Sequence, residues 1–228
     1  IPNKAFDLKK NNEASVTSET QKIKRQIKEL LVSRNIMEII SWSFSNKKWE
    51  ENVTGDTDNI EILNPISEEL SCLRQTLLGG LLNIVNKNNN KDRQNISIFE
   101  IGPVFTGIHP EEQKDRLTIV RSGRAIDKNW TANNRNYDVF DVKSDLVSLL
   151  RLLKIPLDKI KIKNENNIFF HPGKSCSVYF SKLKIASFGE IHPNVSKSFK
   201  IKNTVIVLEV YVSEILENTK KRTQTKNK

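Results

Sequence analysis

Downstream of residue 158 the chain is built from strand-like runs that follow one another as the arms of hairpins do. "DKIKIK" comes first, then "FHPGKSCSVYF" and "LKIASFGEI" on either side of Ser181-Lys182, then "TVIVLEVYV". Strands this close in sequence pair antiparallel, because a parallel partner needs a crossover of roughly a dozen residues or more. Earlier runs add to the sheet: "ISIFEIGPVF" up to Gly102-Pro103, "RLTIVRSG", the short "IEIL", and "EIISWSF". In the last of these Ile40, Trp42 and Phe44 alternate with Ile39, Ser41 and Ser43, which predicts a half-buried strand. No regular strand–helix–strand alternation is present. The class is α+β, an antiparallel sheet with helices packed against it.

Helical periodicity is confined to a few stretches. Ile23, Ile27, Leu30 and Leu31 form one stripe that ends near Arg34-Asn35, and Ser18 with Gln21 is spaced for a capping box at its start. From Leu70 onward Leu73, Leu77, Leu81 and Val85 share a face, with Gly79 and Gly80 inside it. Adjacent glycines cost a helix about 1 kcal/mol each relative to alanine, so they predict the close approach of another backbone, or a bend. "YDVFDVKSDLVSLLRLLKI" reads as a strand that turns helical near Lys143, carrying Leu146, Leu149, Leu150 and Leu153. "NKNNNKDRQN" is a surface loop, and "SEILEN" is a last short turn of helix.

The 228 residues carry 37% hydrophobic and 28% charged side chains and a net charge of +10, enough for one large or two small domains. Half of that charge sits in "NTKKRTQTKNK", residues 218–228, which has five Lys and Arg and no acid. With nothing apolar to anchor it, this tail is expected to be a disordered linker beyond a domain spanning 1–217. The longest apolar runs are too short to span a bilayer, and "IPNKAFDLKKNNEAS" lacks a signal peptide's apolar stretch, so a cytoplasmic location is expected. Cys72 and Cys176 sit in apolar-periodic segments without metal-ligand spacing and read as free thiols.

Chemistry-bearing motifs are few. The chain has no phosphate-binding glycine loop and no zinc-protease helix motif. A zinc site from His109, His171 and His192 would need three dispersed ligands, against the usual close pair. His171 and His192 each precede a proline, Pro172 and Pro193, which holds each histidine extended at a strand end. Glu190 would share a strand face with His192 and could orient its ring for acid–base work. The alternative is a pair of hydrogen-bonded turn histidines, and the residues favour it. Gly173 is expected to take a positive φ in a tight turn, and Gly189 to meet another backbone or a bend. Trp42, Trp49 and Trp130 are scattered and make no ladder for stacking bases.

Taken in order, "ILNPISEELSCLRQTLLGGLL", "IFEIGPVF", "FDVKSDLVSLL", "FFHPGKSCSV" and "FGEIHPNV" resemble successive signatures of the bacterial phenylalanine–tRNA ligase beta subunit. They match its module that copies the class II synthetase catalytic fold, over nearly residues 1 to 217. The residues carrying the likeness are Asn64, Pro65, Arg74, Glu100, Gly102, His171, Pro172, Gly173, Gly189, Glu190, His192 and Pro193. Gly79 departs from it, standing where that family commonly has proline. The resemblance implies a class II aminoacyl-tRNA synthetase-like antiparallel sheet flanked by helices. "IPNKAF" looks like residues following the family's preceding helical domain, and the basic tail like the linker toward its anticodon-binding domain.

The same resemblance implies a place in an α2β2 phenylalanine–tRNA ligase that uses ATP and Mg2+, with the alpha subunit and tRNA-Phe as partners and neither membrane nor DNA. An adenylate-forming site needs fixed cations on the phosphates. In the strand "IFEIG" Ile98 stands where the family pattern places an arginine, and "FGEIHPNVSKSF" has no Gly-x-Gly-x-x-Arg. The expectation is a fold retained without catalysis or bound cofactor, docked to the alpha subunit through long helices, with residues 18–34 resembling the class II dimer-interface helix. An autonomous RNA-binding protein using the basic tail and a sheet face is the alternative. A hydrolase using His171 and His192 ranks last.

Overall fold

A computed structural model of the chain describes residues 17–126, 130, 135–165 and 167–226, with side chains described as far as residue 219. The expectation attached to the N-terminal "IPNKAF" lies outside the described residues.

Helix α1 (Glu19–Ser33) opens with the Ser18–Gln21 capping box and buries Ile27 and Leu31. It is stopped by Asn35, whose φ of 57° lies in the left-handed region that asparagine tolerates. Strand β1 (Met37–Glu38) then joins the main sheet, and β2 (Phe44–Ser45) begins a separate two-stranded pair. Helix α2 (Lys47–Thr54) follows, capped by Asn46 and closed by Gly55 at φ 71°. Strand β3 (Cys72–Leu73) pairs with β2 and leads to α3 (Leu78–Asn89). Two ten-residue strands, β4 (Ile96–Phe105) and β5 (Gln113–Ser122), form the first long hairpin. Helix α4 (Val139–Leu152) precedes β6 (Ile160–Lys163), β7 (Phe170–Phe180) and β8 (Leu183–Ile191). The short α5 (Pro193–Ser198), β9 (Val205–Val210) and α6 (Val212–Lys226) complete the fold.

The seven strands of the main sheet run in the order β1-β4-β5-β9-β8-β7-β6. Only the β1–β4 edge is parallel; every other pair is antiparallel. Alternating side chains divide the residues between two cores. One face carries Phe99, Leu117, Ile119, Phe188 and Leu208 beneath α1, α4 and α6. The other carries Ile98, Val120 and Val207 beneath α2, α3 and α5. Each buried Leu or Ile contributes about 1.5–3 kcal/mol of transfer free energy, so both faces are held mainly by this packing.

Several boundaries differ from the sequence reading, each for a physical reason. Helix α4 begins at Val139 and not near Lys143, because Asp138 caps it and forms a capping box with Asp141. The third helix starts at Leu78 and not at Leu70, since Gln75 and Thr76 donate their backbone N–H groups to Glu50 and remain outside the helix. "IEIL" makes only an isolated bridge, Glu61 opposite Cys72. "EIISWSF" is not a continuous strand, and Ile40 and Trp42 point outward while Ser41 points in. Helix α6 runs on past the expected short turn "SEILEN", as far as Lys226. Lys, Arg and Gln are good helix formers, and no glycine or proline intervenes.

Candidate functional site

Arg74, downstream of the Asn-Pro signature, and Glu100 of "IFEIG" come from separate parts of the chain, and the fold places them side by side. Arg74, just after β3, and Glu100, in the middle of β4, form a buried ion pair with 2.7 Å between Nη1 and Oε1. Glu100 accepts two further hydrogen bonds from Ser41, at 2.7 Å from its hydroxyl and 3.2 Å from its backbone N–H. Arg74 also donates to the carbonyls of Pro103 at 2.8 Å and Trp42 at 3.3 Å. Gly102 is part of this cluster, since a Cβ there would stand 2.7 Å from an Arg74 Nη atom. Asn64 and Pro65 lie apart from it, in an exposed loop.

A second buried carboxylate holds the chain leaving this cluster. Glu50 of α2 accepts from Ser45 Oγ at 2.6 Å and from the backbone N–H groups of Gln75 and Thr76. Burial nonetheless raises its pKa above the usual carboxylate range. Gly79 and Gly80 fit beneath, and a Cβ on either would lie 3.4 Å from Glu50 and Trp49 or from Ser41. Cys72 packs beside them, its thiol pushed up to about 11 by burial and then by Glu50, which suits packing and not nucleophilic attack.

Strand register aligns a polar row across this face of the sheet. Glu100 pairs with Thr118, Thr118 with Glu209, Glu209 with Ser187, and Ser187 with Ser177. All five are buried; the Thr118 hydroxyl finds no hydrogen-bond partner among the described residues, while Ser177 faces Glu165 and Ser187 faces Tyr211. Burial raises the Glu209 pKa, with the nearby Arg116 opposing it in part. Arg116 itself is paired to Glu214 at 2.5 Å and lies over the Tyr211 ring at 4.3 Å. On the opposite face Arg121 and Arg34 both grip the fully buried Asp145, at 2.9 and 2.7 Å, tying β5, α1 and α4 together. Nothing in the spacing of these last residues marks them as partners, and sequence reasoning missed them.

The two His-Pro turns share one geometry. His171 Nδ1 accepts from Gly173 N–H, and His192 Nδ1 accepts from Asn194 N–H, each at 3.1 Å. His192 with Pro193 thereby caps α5. Glu190 does not orient His192, because its carboxylate takes Lys174 at 2.7 Å. Gly173 has no positive φ; it lies within β7, and a Cβ there would stand 3.7 Å from the His171 ring, in ordinary contact. Gly189 does meet another backbone, since a Cβ would lie 2.6 Å from the Lys174 carbonyl oxygen. Of the tryptophans, Trp49 packs on Phe199 with ring centroids 6.2 Å apart, while Trp42 and Trp130 are exposed. Among the described residues no group of three or more His, Cys, Asp or Glu is placed to hold a metal ion. No helix among them is long and apolar enough to cross a membrane.

A seven-stranded, mostly antiparallel sheet with this cover is the fold of class II aminoacyl-tRNA synthetases. The pyrrolysyl-tRNA synthetase of Desulfitobacterium hafniense superposes with a TM-score of 0.68 at 13% identity, covering 89% of this chain and 69% of that one. The chain belongs to the family described as the phenylalanyl-tRNA synthetase beta chain CLM domain, whose model matches residues 8–212. Among curated relatives, the phenylalanine–tRNA ligase beta subunit of Ehrlichia canis is 36% identical over 191 residues, and that of Rickettsia bellii 32% over 189. The match to the Ehrlichia protein covers 83% of this chain and 24% of that protein, and the match to the Rickettsia protein 82% and 22%. The chain thus spans about a quarter of the length of these relatives.

Proposed function

We propose that this chain is a non-catalytic, core-like module of a phenylalanine–tRNA ligase beta subunit. It supports attachment of phenylalanine to tRNA-Phe by docking on and stabilising the catalytic alpha subunit in an α2β2 enzyme that uses ATP and Mg2+. The observation that carries this reading is the state of the arginines around the sheet. A phosphate clamp requires guanidinium groups aimed into an open site. Here Arg74 is closed on Glu100, Arg121 on Asp145 and Arg116 on Glu214. Ile98 fills the position where the family pattern calls for a cation, and it is buried in the apolar half of the face. The centre of that face offers instead Glu100 and Glu209 with three hydroxyls, and burial raises the Glu209 pKa. These groups are buried and supply no unpaired cation for a phosphate, so the residues present do not fit ATP and no chemical step is assigned to them.

The experiment is phenylalanine-dependent ATP–pyrophosphate exchange, measured for the chain alone, for the alpha subunit alone, and for the two together. The expected result is no exchange from the chain alone and a marked gain when it joins the alpha subunit. Exchange by the chain alone, or no effect on the alpha subunit, overturns the reading.

A further inference from the structure

Four neighbouring strands begin or finish at one end of the main sheet. There β4 starts at Ile96, β5 ends at Ser122, β9 starts at Val205 and β8 ends at Ile191. Two cavities open at that end, away from the mid-strand row of Glu100 and Glu209. One, of about 450 Å³, is lined by Gln94, Arg124, Asn136, Tyr137, Asn203 and Thr204 among others. The other, of about 460 Å³, is lined by Ser196, Lys197, Lys200 and Lys202, and again by Asn203 and Thr204. The pair Asn203-Thr204 lines both, so the cavities adjoin. Each has the volume of a small-ligand site.

Charge and hydrogen-bonding capacity are divided between the two. Arg124, Lys197, Lys200 and Lys202 are exposed, and none of them forms an ion pair among the described residues. Two acids line the same cavities: Glu190 is taken by Lys174 at 2.7 Å, which leaves Asp92 against four cations. Three of those cations are the lysines of the second cavity, a grouping that suits phosphate oxygens. The first cavity offers instead the side-chain amides of Gln94, Asn136 and Asn203. Each amide carries both a donor and an acceptor, which is what the edge of a heterocyclic base requires. The backbone beneath is already ordered. Asn95 Oδ1 accepts from Arg124 N–H at 2.9 Å, and Ser122 Oγ donates to the Thr204 carbonyl at 3.0 Å. Lys200 N–H and Ile201 N–H close α5 on the carbonyls of Lys197 and Ser196, at 3.0 and 2.9 Å. Lys200 takes φ 56° to do so, a helix-stop conformation that glycine most often supplies, so this turn carries a cation that the turn itself does not need. A pre-ordered site binds at low entropic cost.

We infer that these strand ends form a binding site for a nucleotide unit, with its phosphates on Lys197, Lys200 and Lys202 and its base in the amide-lined cavity beside Arg124. The inference is independent of the function proposed above. The unit is either a free nucleotide or one nucleotide of an unpaired RNA segment, since both present the same groups. The test is calorimetry on the full chain at about 50 mM salt, where charge contacts are weakly screened. The probes are ADP, adenosine, inorganic pyrophosphate and an unstructured five-nucleotide RNA. The variants are Lys197→Gln with Lys202→Gln, Asn203→Leu, and Lys159→Gln with Lys161→Gln. The last pair removes the same charge from exposed positions at the opposite end of the sheet. Melting curves confirm that each variant is folded. ADP should bind more tightly than adenosine or pyrophosphate. The site lysine pair should weaken ADP by about tenfold, and the control pair should stay within about twofold of wild type. Asn203→Leu should weaken ADP and leave pyrophosphate unchanged. The same pattern with the RNA probe binding more tightly than ADP assigns the site to an RNA segment; the reverse order assigns it to a free nucleotide. Absence of saturation by both ADP and RNA below about 1 mM overturns the inference. Equal losses from the site and control pairs overturn it in favour of diffuse charge. Pyrophosphate binding as tightly as ADP, with Asn203→Leu neutral for both, overturns it in favour of a plain anion patch.

Discussion

Arg74 and Glu100 illustrate how a buried pair can specify more than it stabilises. Removing one partner leaves an uncompensated charge and costs about 3–5 kcal/mol, whereas replacing both by apolar residues is often nearly neutral. Arg74→Met should therefore lower the melting temperature by several degrees, and Arg74→Met with Glu100→Leu should recover most of the loss. The double variant loses the hydrogen bonds to Ser41 and Trp42, so amide exchange at residues 40–43 should accelerate even where the melt is restored. Recovery of the melt without faster exchange would show that the pair does not hold this segment. Glu209 presents the opposite case. Burial raises its folded pKa above the unfolded value, so its favourable contribution is complete below the unfolded pKa and is lost as pH rises through the folded one. Above the unfolded pKa, folding must either take up a proton there or bury the charge, and either is a burden. Glu209→Gln should raise the melting temperature at pH 7 and narrow the gap between melts at pH 5 and pH 7. A lower melting temperature at pH 7 would refute that assignment.

The β7–β8 hairpin shows which features a sequence exposes. Gly189 is readable because a glycine inside a strand pattern signals a close backbone, and Lys174 O fills that space. Gly189→Ala should force the two strands apart and cost about 1–3 kcal/mol, as overpacking does. Thermal melts should show this, and an unchanged melt would mean the strands have room to part. Capping boxes are local, so Ser18–Gln21 is legible as well. The His-Pro pairs are legible as turns, and His192→Ala should cost about 1 kcal/mol as a lost N-cap, with His192→Asn restoring it. The register row Glu100–Thr118–Glu209–Ser187–Ser177 is not legible, because it exists only once four strand pairings from separate regions are set. The same holds for Asp145, whose two arginines are more than twenty and more than a hundred positions away. Ile40 and Trp42 mislead for a related reason: alternation tells which residues share a face, but the ion pair with its hold on Ser41 decides which face turns inward.

At the scale of the whole molecule, α6 carries part of the positive charge on a helix. Among the described residues of α6 the buried ones are Val212, Ile215 and Leu216, all in its first turns. Residues 218–228 hold half of the net charge. Stability and polyelectrolyte behaviour should therefore separate cleanly. A chain ending at Glu217 keeps the buried turns and should melt within about 0.5 kcal/mol of the full chain, as surface changes do. Its affinity for tRNA should fall, and the slope of log K against log salt should flatten by about 0.7–0.9 for each phosphate that the shortened chain leaves unneutralised. If the slope is unchanged, the charged helix touches no phosphates, and any RNA affinity resides on the sheet-bearing body. Selective binding of tRNA-Phe over other tRNAs by the truncated chain would then favour the autonomous RNA-binding alternative over a module that works through the alpha subunit. Equal, weak and steeply salt-dependent binding of all tRNAs by the full chain is the outcome expected here, because a run of Lys and Arg neutralises phosphates without reading bases.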